Sequence, residues 1–154
     1  MAISLAGDFI VQRTLEDVFD FLSDPNRFGP LLPDFQSMSV QDENHFTLKV
    51  SVGISHIRGI AEVKMTRVEA DRPIRAAYSG QGSMAGGNVN IKAGFDLKPE
   101  DGGTRISWKG EAQIFGRLAS MAGGLLEPLG RKNVQKLIDG LQRALSEAGA
   151  GAEK

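Results

Sequence analysis

The spacing of apolar residues changes once along this chain, and that change limits the folds open to it. From Phe35 to Ile114 apolar residues recur mainly at every second position; beyond Gly116 they recur at helical spacing. His45–Val52 sets Phe46, Leu48, Val50 and Val52 on one face. Val89, Ile91, Ala93, Phe95 and Leu97 stand against Asn90, Lys92 and Asp96, and Ile106, Trp108, Gly110, Ala112 and Ile114 against Arg105, Ser107, Lys109, Glu111 and Gln113. This alternation describes antiparallel strands with one face in water. After Gly116, Leu118, Met121, Ala122, Leu125 and Leu129 form a helical stripe that Val134, Leu137, Ile138, Leu141 and Leu145 extend. The spacing predicts one helix over about 117–148, kinked or briefly broken at Pro128. Such a helix must bury its stripe, and only the apolar face of the sheet is large enough to receive it.

Upstream, Ile3–Val11 reads as a first strand, and Thr14 as the N-cap of a short helix carrying Leu15, Val18, Phe21 and Leu22. Asp24-Pro25 ends that helix, because a residue before proline is pushed out of the α region. Asn26–Asp34 is too broken by Gly29, Pro30 and Pro33 for a long helix, and with Phe28, Leu31 and Leu32 too apolar for a solvated loop. Ser55–Val68 has mixed phase, which a bulge near Gly59 would reconcile. Turns are expected at Asn44, Asp71-Arg72-Pro73, Gly86-Gly87 and Asp101-Gly102-Gly103. The fold class is therefore α+β: a curved antiparallel sheet of about seven strands wrapped around a long C-terminal helix, with two short helices after strand 1. A single domain is expected over 1–148, with a flexible tail over 149–154. The gap between sheet and helix is a natural place for an apolar cavity, roughly 300–1,000 Å³ in typical ligand sites. A core filled by side chains is the alternative, and architecture alone does not choose between them.

Composition removes several chemistries. Lys plus Arg is 18 and Asp plus Glu 19, a formal net charge of −1, so no electrostatic footprint for nucleic acid exists. Cysteine is absent, which excludes disulfides, thiolate nucleophiles, iron–sulfur ligation and cysteine-based zinc sites. The N-terminal stretch has no basic region or cleavage signal, and no window approaches the roughly 18 apolar residues of a membrane span. The expectation is a soluble cytoplasmic protein. His45 and His56 are the only histidines, isolated from spaced carboxylates, so no metal and no cofactor are expected. The glycine-rich Ser79–Gly87 lies between strands, where a phosphate cradle would need a following helix, and reads as a hairpin. No Gly-x-Ser-x-Gly elbow occurs. Trp108 falls on the apolar parity of its strand, and Tyr78 offers a phenol able to donate to a ligand carbonyl.

Several stretches then resemble the CoxG family of carbon monoxide dehydrogenase subunits, in the SRPBCC superfamily, which has the START-like or helix-grip fold. They are Gly7–Val11 leading into Val18–Pro25, Leu32-Pro33, the strand ending Val52-Gly53, Gly103–Trp108, and Gly116–Ala119 opening the last helix. The chain departs from that pattern at Asp34 and at Ile54-Ser55. The resemblance implies a carrier or accessory protein for a molybdenum hydroxylase of the carbon monoxide dehydrogenase type, with quinone or lipid as ligand. It also implies transient contact with the inner face of the membrane. An inward face that is nearly all apolar favours a non-catalytic carrier over a small cyclase- or dehydratase-like enzyme, which needs a proton donor or acceptor in its cavity. A protein-interaction module with a filled core is the third reading. The candidate ligand-binding residues are Phe28, Leu31, Leu32 and Phe35 in the broken segment, Met84 in the hairpin, Tyr78, Phe95 and Trp108 beneath, and Leu118, Met121 and Leu125 on the helix.

Overall fold

A computed structural model describes residues 2–54, 57–84 and 87–152, without the side chains at 54, 57, 84, 121–123 and 146–152. Seven strands run as β1 (Ala2–Val11), β2 (Phe35–Asp42), β3 (His45–Ile54), β4 (Ile57–Asp71), β5 (Arg75–Met84), β6 (Gly87–Glu100) and β7 (Gly103–Gly116). They form one sheet in the order β1-β7-β6-β5-β4-β3-β2, with every pairing antiparallel. Between β1 and β2 come α1 (Leu15–Leu22), α2 (Pro25–Phe28) and a 3-10 turn (Gly29–Leu31); α3 (Arg117–Ala152) follows β7. The antiparallel sheet followed by one long helix, expected from the change of period, is the architecture observed.

Local chemistry explains the boundaries. The Thr14 hydroxyl accepts the Asp17 N–H at 3.2 Å and starts α1. Asp24 does the same for α2, accepting from the Asn26 N–H at 3.0 Å with Pro25 in the first helical position. Asp101 and Gly102 both have positive φ, 50° and 78°, as a two-residue hairpin between Glu100 and Gly103 requires. The β4 phase change is real, but its cause lies elsewhere than expected. Pairing with β3 runs through Gly59 without a break, and the register shifts instead between Arg67 and Glu69 against β5, at Val68. Ile60 is simply on the outer face, 56% exposed. Ser79–Met84 forms the end of β5 and pairs antiparallel with β6 from Met84 and Gly87 onward, as the hairpin reading requires; residues 85–86 lie outside the described residues. Gly80 and Gly82 are buried there because the Met65 and Val89 side chains occupy the space their own would need. The last helix continues through Pro128 without a break and runs on to Ala152; residues 153–154 lie outside the described residues.

The main core lies where α1 and α2 press on the inner face of the sheet. Val18, Phe19, Phe21 and Leu22 meet Phe46, Leu48, Val63, Ala76, Leu97 and Ile106, with Leu141 and Leu145 of α3 closing over them. A smaller cluster of Ile114, Leu118 and Leu126 anchors the start of α3.

Candidate ligand-binding site

Register explains why part of the inner face is hollow. Antiparallel pairing sets side chains in rows across β1, β7 and β6: Ile3–Ala112–Ile91, Leu5–Gly110–Ala93, Gly7–Trp108–Phe95 and Phe9–Ile106–Leu97. The first two rows bring Gly110, Ala93 and Ala112 together as a floor of small residues. Above them α3 presents Gly130, again without a side chain. A Cβ at Gly110 would meet nothing closer than 3.9 Å, and one at Gly130 only the tip of Leu5, also at 3.9 Å. A cavity of about 400 Å³ results, within the range of ligand sites.

Its walls come from β1, β6, β7 and the middle of α3, which contributes Val134, Leu137, Ile138 and Leu141. Ile3, Leu5, Ile91, Trp108, Val134 and Ile138 point inward yet remain only half-buried, because they face open space rather than packed neighbours. Lys92, Lys109 and Glu111 border the cavity from strands whose pleat turns their exposed side chains to the outer face. Two polar side chains reach the wall. The Tyr78 hydroxyl donates to the Leu22 carbonyl at 3.0 Å, and burial pushes its pKa up to about 12. That phenol, expected to be free for a ligand, is already used by the fold. The Trp108 indole lies over Gly7, where a Cβ would come within 2.9 Å of the ring. Its Nε1–H is buried without a hydrogen-bond partner and presents no surface to the cavity.

Of the residues singled out in the sequence, the structure brings Tyr78, Phe95 and Trp108 to the cavity wall. Phe28, Leu31, Leu32 and Phe35 pack on the main core instead. Phe28 meets Phe46 and Tyr78 edge-on, each with ring centroids 6.0 Å apart, so this segment plugs the sheet beside the hollow. Leu118 belongs to the small cluster at the start of α3, and Leu125 is 53% exposed. The side chains of Met84 and Met121 lie outside the described residues, as does His56. Sequence reasoning missed Leu5, Ile91, Val134 and Leu137 as wall, although each lay on an identified apolar face. Only the register of β1, β7 and β6 reveals that small residues converge beneath them.

Acid–base and metal chemistry find little here. The His45 Nδ1 sits 2.9 Å from Asp42 Oδ1 in the exposed β2–β3 turn, and this contact holds the Asp42 carboxyl below its usual range. Among the described residues no three His, Asp or Glu side chains are grouped to hold a metal ion, and no helix is long and apolar enough to cross a membrane.

No curated protein matches the chain in sequence. Among solved structures, a conserved protein from Geobacillus kaustophilus superposes with a TM-score of 0.83 at 18% identity, over 96% of this chain and 97% of that one. A START superfamily protein from Mycobacterium smegmatis gives 0.71 at 10% identity, over 94% and 98%. A di-domain ARO/CYC of the steffimycin biosynthetic pathway gives 0.68 at 12% identity, over 98% of this chain and 53% of that one. At these identities the likeness is one of fold. A model of the carbon monoxide dehydrogenase CoxG family, however, matches residues 7–146, nearly the whole length, and the chain belongs to that family.

Proposed function

We propose that this protein is a non-catalytic carrier of an apolar ligand, a quinone or a lipid. In this reading it serves a carbon monoxide dehydrogenase-type molybdenum hydroxylase, in the cytoplasm and with transient contact at the inner face of the membrane. The observation that carries the proposal is the cavity between α3 and strands β1, β7 and β6. Its inward side chains are hydrocarbon apart from Trp108 and a tyrosine whose hydroxyl is bonded to the backbone. An enzyme of this fold would need a carboxylate, histidine or free hydroxyl turned into the cavity; among the described residues the one carboxylate at its border, Glu111, is exposed on the outer face. The ligand contacts proposed are Tyr78, Phe95, Trp108 and Leu5 with Val134, Leu137 and Ile138 opposite. Family membership supports the accessory role and the hydroxylase partner. Burial contributes about 0.8 kcal/mol per methylene before ordering costs, so micromolar affinity needs no charged contact. Native mass spectrometry of protein purified from its own host tests the proposal. A retained quinone or lipid at unit stoichiometry supports it, and protein that never carries or takes up either overturns it.

A further inference from the structure

The cavity has one closed end, and this limits what a carried molecule can insert; the inference rests on the carrier reading above. Exposure falls along its length. Ile3 and Leu5 on the edge strand β1, Ile91 on β6, Trp108 on β7, and Val134 and Ile138 on α3 are half-buried, whereas Leu22, Tyr78, Phe95, Ile106 and Leu141 are buried. β1 is the edge of the sheet, so no further strand closes the side between it and α3, and that slot is the mouth. Beyond the buried end stands a braced block of aromatic rings. Phe19 meets Phe95 edge-on at 6.2 Å, Tyr78 meets Phe28 and Phe46 at 6.0 Å, and the Tyr78 hydroxyl ties the block to the end of α1.

From the mouth at β1 to Tyr78 on β5 is three strand spacings, about 14 Å. The path crosses Gly110 and Ala93, where no side chain bars it. Among the described residues no free side-chain donor faces the space: the phenol donates to Leu22 and the indole N–H is buried over Gly7. We infer that the cavity admits a single apolar chain tail-first and that Phe95 and Tyr78 form the stop that sets its length, the polar end staying at the mouth. A volume of about 400 Å³ divides into about a dozen methylene-sized groups, each near the space of one liquid water.

Titration calorimetry of the full chain with straight-chain primary alcohols of eight to sixteen carbons tests the stop. Affinity should rise about fourfold per methylene up to about twelve carbons and then level off. Phe95→Ala, which removes the stop, should move the break to longer chains, and Ala93→Leu, which fills the floor, to shorter ones. Should Phe95→Ala fail to fold, Ala93→Leu alone decides, since its side chain enters open space. A break that stays put in the folded variants, or affinity that climbs unbroken to sixteen carbons, overturns the stop and leaves the carrier standing. No binding of any alcohol to the wild type overturns the carrier reading itself.

Discussion

The inner face of one sheet is treated in two ways. Where α1, α2 and the broken segment cover it, it is packed solid: Phe46, Leu48, Val63, Ala76, Leu97 and Ile106 are all buried there. Where β1, β7 and β6 carry the Ile3–Ala112–Ile91 and Leu5–Gly110–Ala93 rows, the same face meets the middle of α3, and a hollow remains. Both halves show the same alternation in sequence and differ only in what covers them and in residue size. One helix cannot follow a curved sheet closely along its whole width. Where a second layer of short elements fills the gap the core is tight, and where Gly110, Ala93, Ala112 and Gly130 meet, nothing does. An apolar period therefore specifies an inward face, while side-chain volume in register decides whether that face is core or container.

The contrast can be broken by matched substitutions. Leu48 is buried in the filled half and Leu5 is half-buried at the mouth. Leu48→Ala should cost about 3 kcal/mol and Leu5→Ala about 1 kcal/mol by denaturant unfolding, because only the first leaves a new cavity in packed surroundings. Equal losses would erase the distinction. Tyr78 stands at the boundary, with its phenol pKa raised by burial from about 10 to about 12. The folded state holds that proton more tightly than the unfolded chain. Stability should thus be intact below pH 10 and decline as pH rises towards 12, by about 2–3 kcal/mol at full ionisation. Tyr78→Phe should flatten this alkaline decline while costing about 1 kcal/mol at neutral pH, through the lost bond to Leu22.

Adding volume sharpens the comparison from the other side. Ala76 has no exposed surface, so Ala76→Val should overpack the filled half and cost about 1–3 kcal/mol. Ala93→Val extends into the hollow and should raise the melting midpoint, by up to about 1 kcal/mol of added burial. Two destabilised proteins would mean that the hollow is smaller than its lining suggests. The smallest effects belong to the rim outside both halves. Arg72 beside Asp20 and Arg105 beside Glu100 hold those carboxyls below their usual range. Their contribution is present above the ordinary carboxylate range and is lost only as pH falls below about 4. Asp20→Asn at pH 7 should leave a thermal melt nearly where it was, since the pair with Arg72 is half-exposed.

Much of this is legible in the residues alone. The change of period at Gly116 determines the order of sheet and helix, and Thr14, Asp24-Pro25 and Asp101-Gly102 mark boundaries that the structure keeps. The bulge is not legible in position, because Gly59 and Val68 both satisfy a phase argument and only pairing with β5 separates them. Nor is the division of the candidate site. Phe28 and Trp108 look alike as apolar aromatics, yet one plugs the core and the other borders the cavity. That assignment depends on which strand lies opposite which, and no periodicity within a single strand carries it.

The close fit of an indole over a glycine also gives the molecule a built-in optical reporter. Trp108 is the single tryptophan in the chain, and the bare backbone of Gly7 leaves room for its ring at the cavity wall. Its emission depends on whether water or hydrocarbon lies against the exposed part of the ring. Filling should therefore shift that emission to shorter wavelength without any attached dye, and emptying should reverse it. If the carrier proposal holds, transfer of a bound ligand to another protein could be followed in real time by this fluorescence.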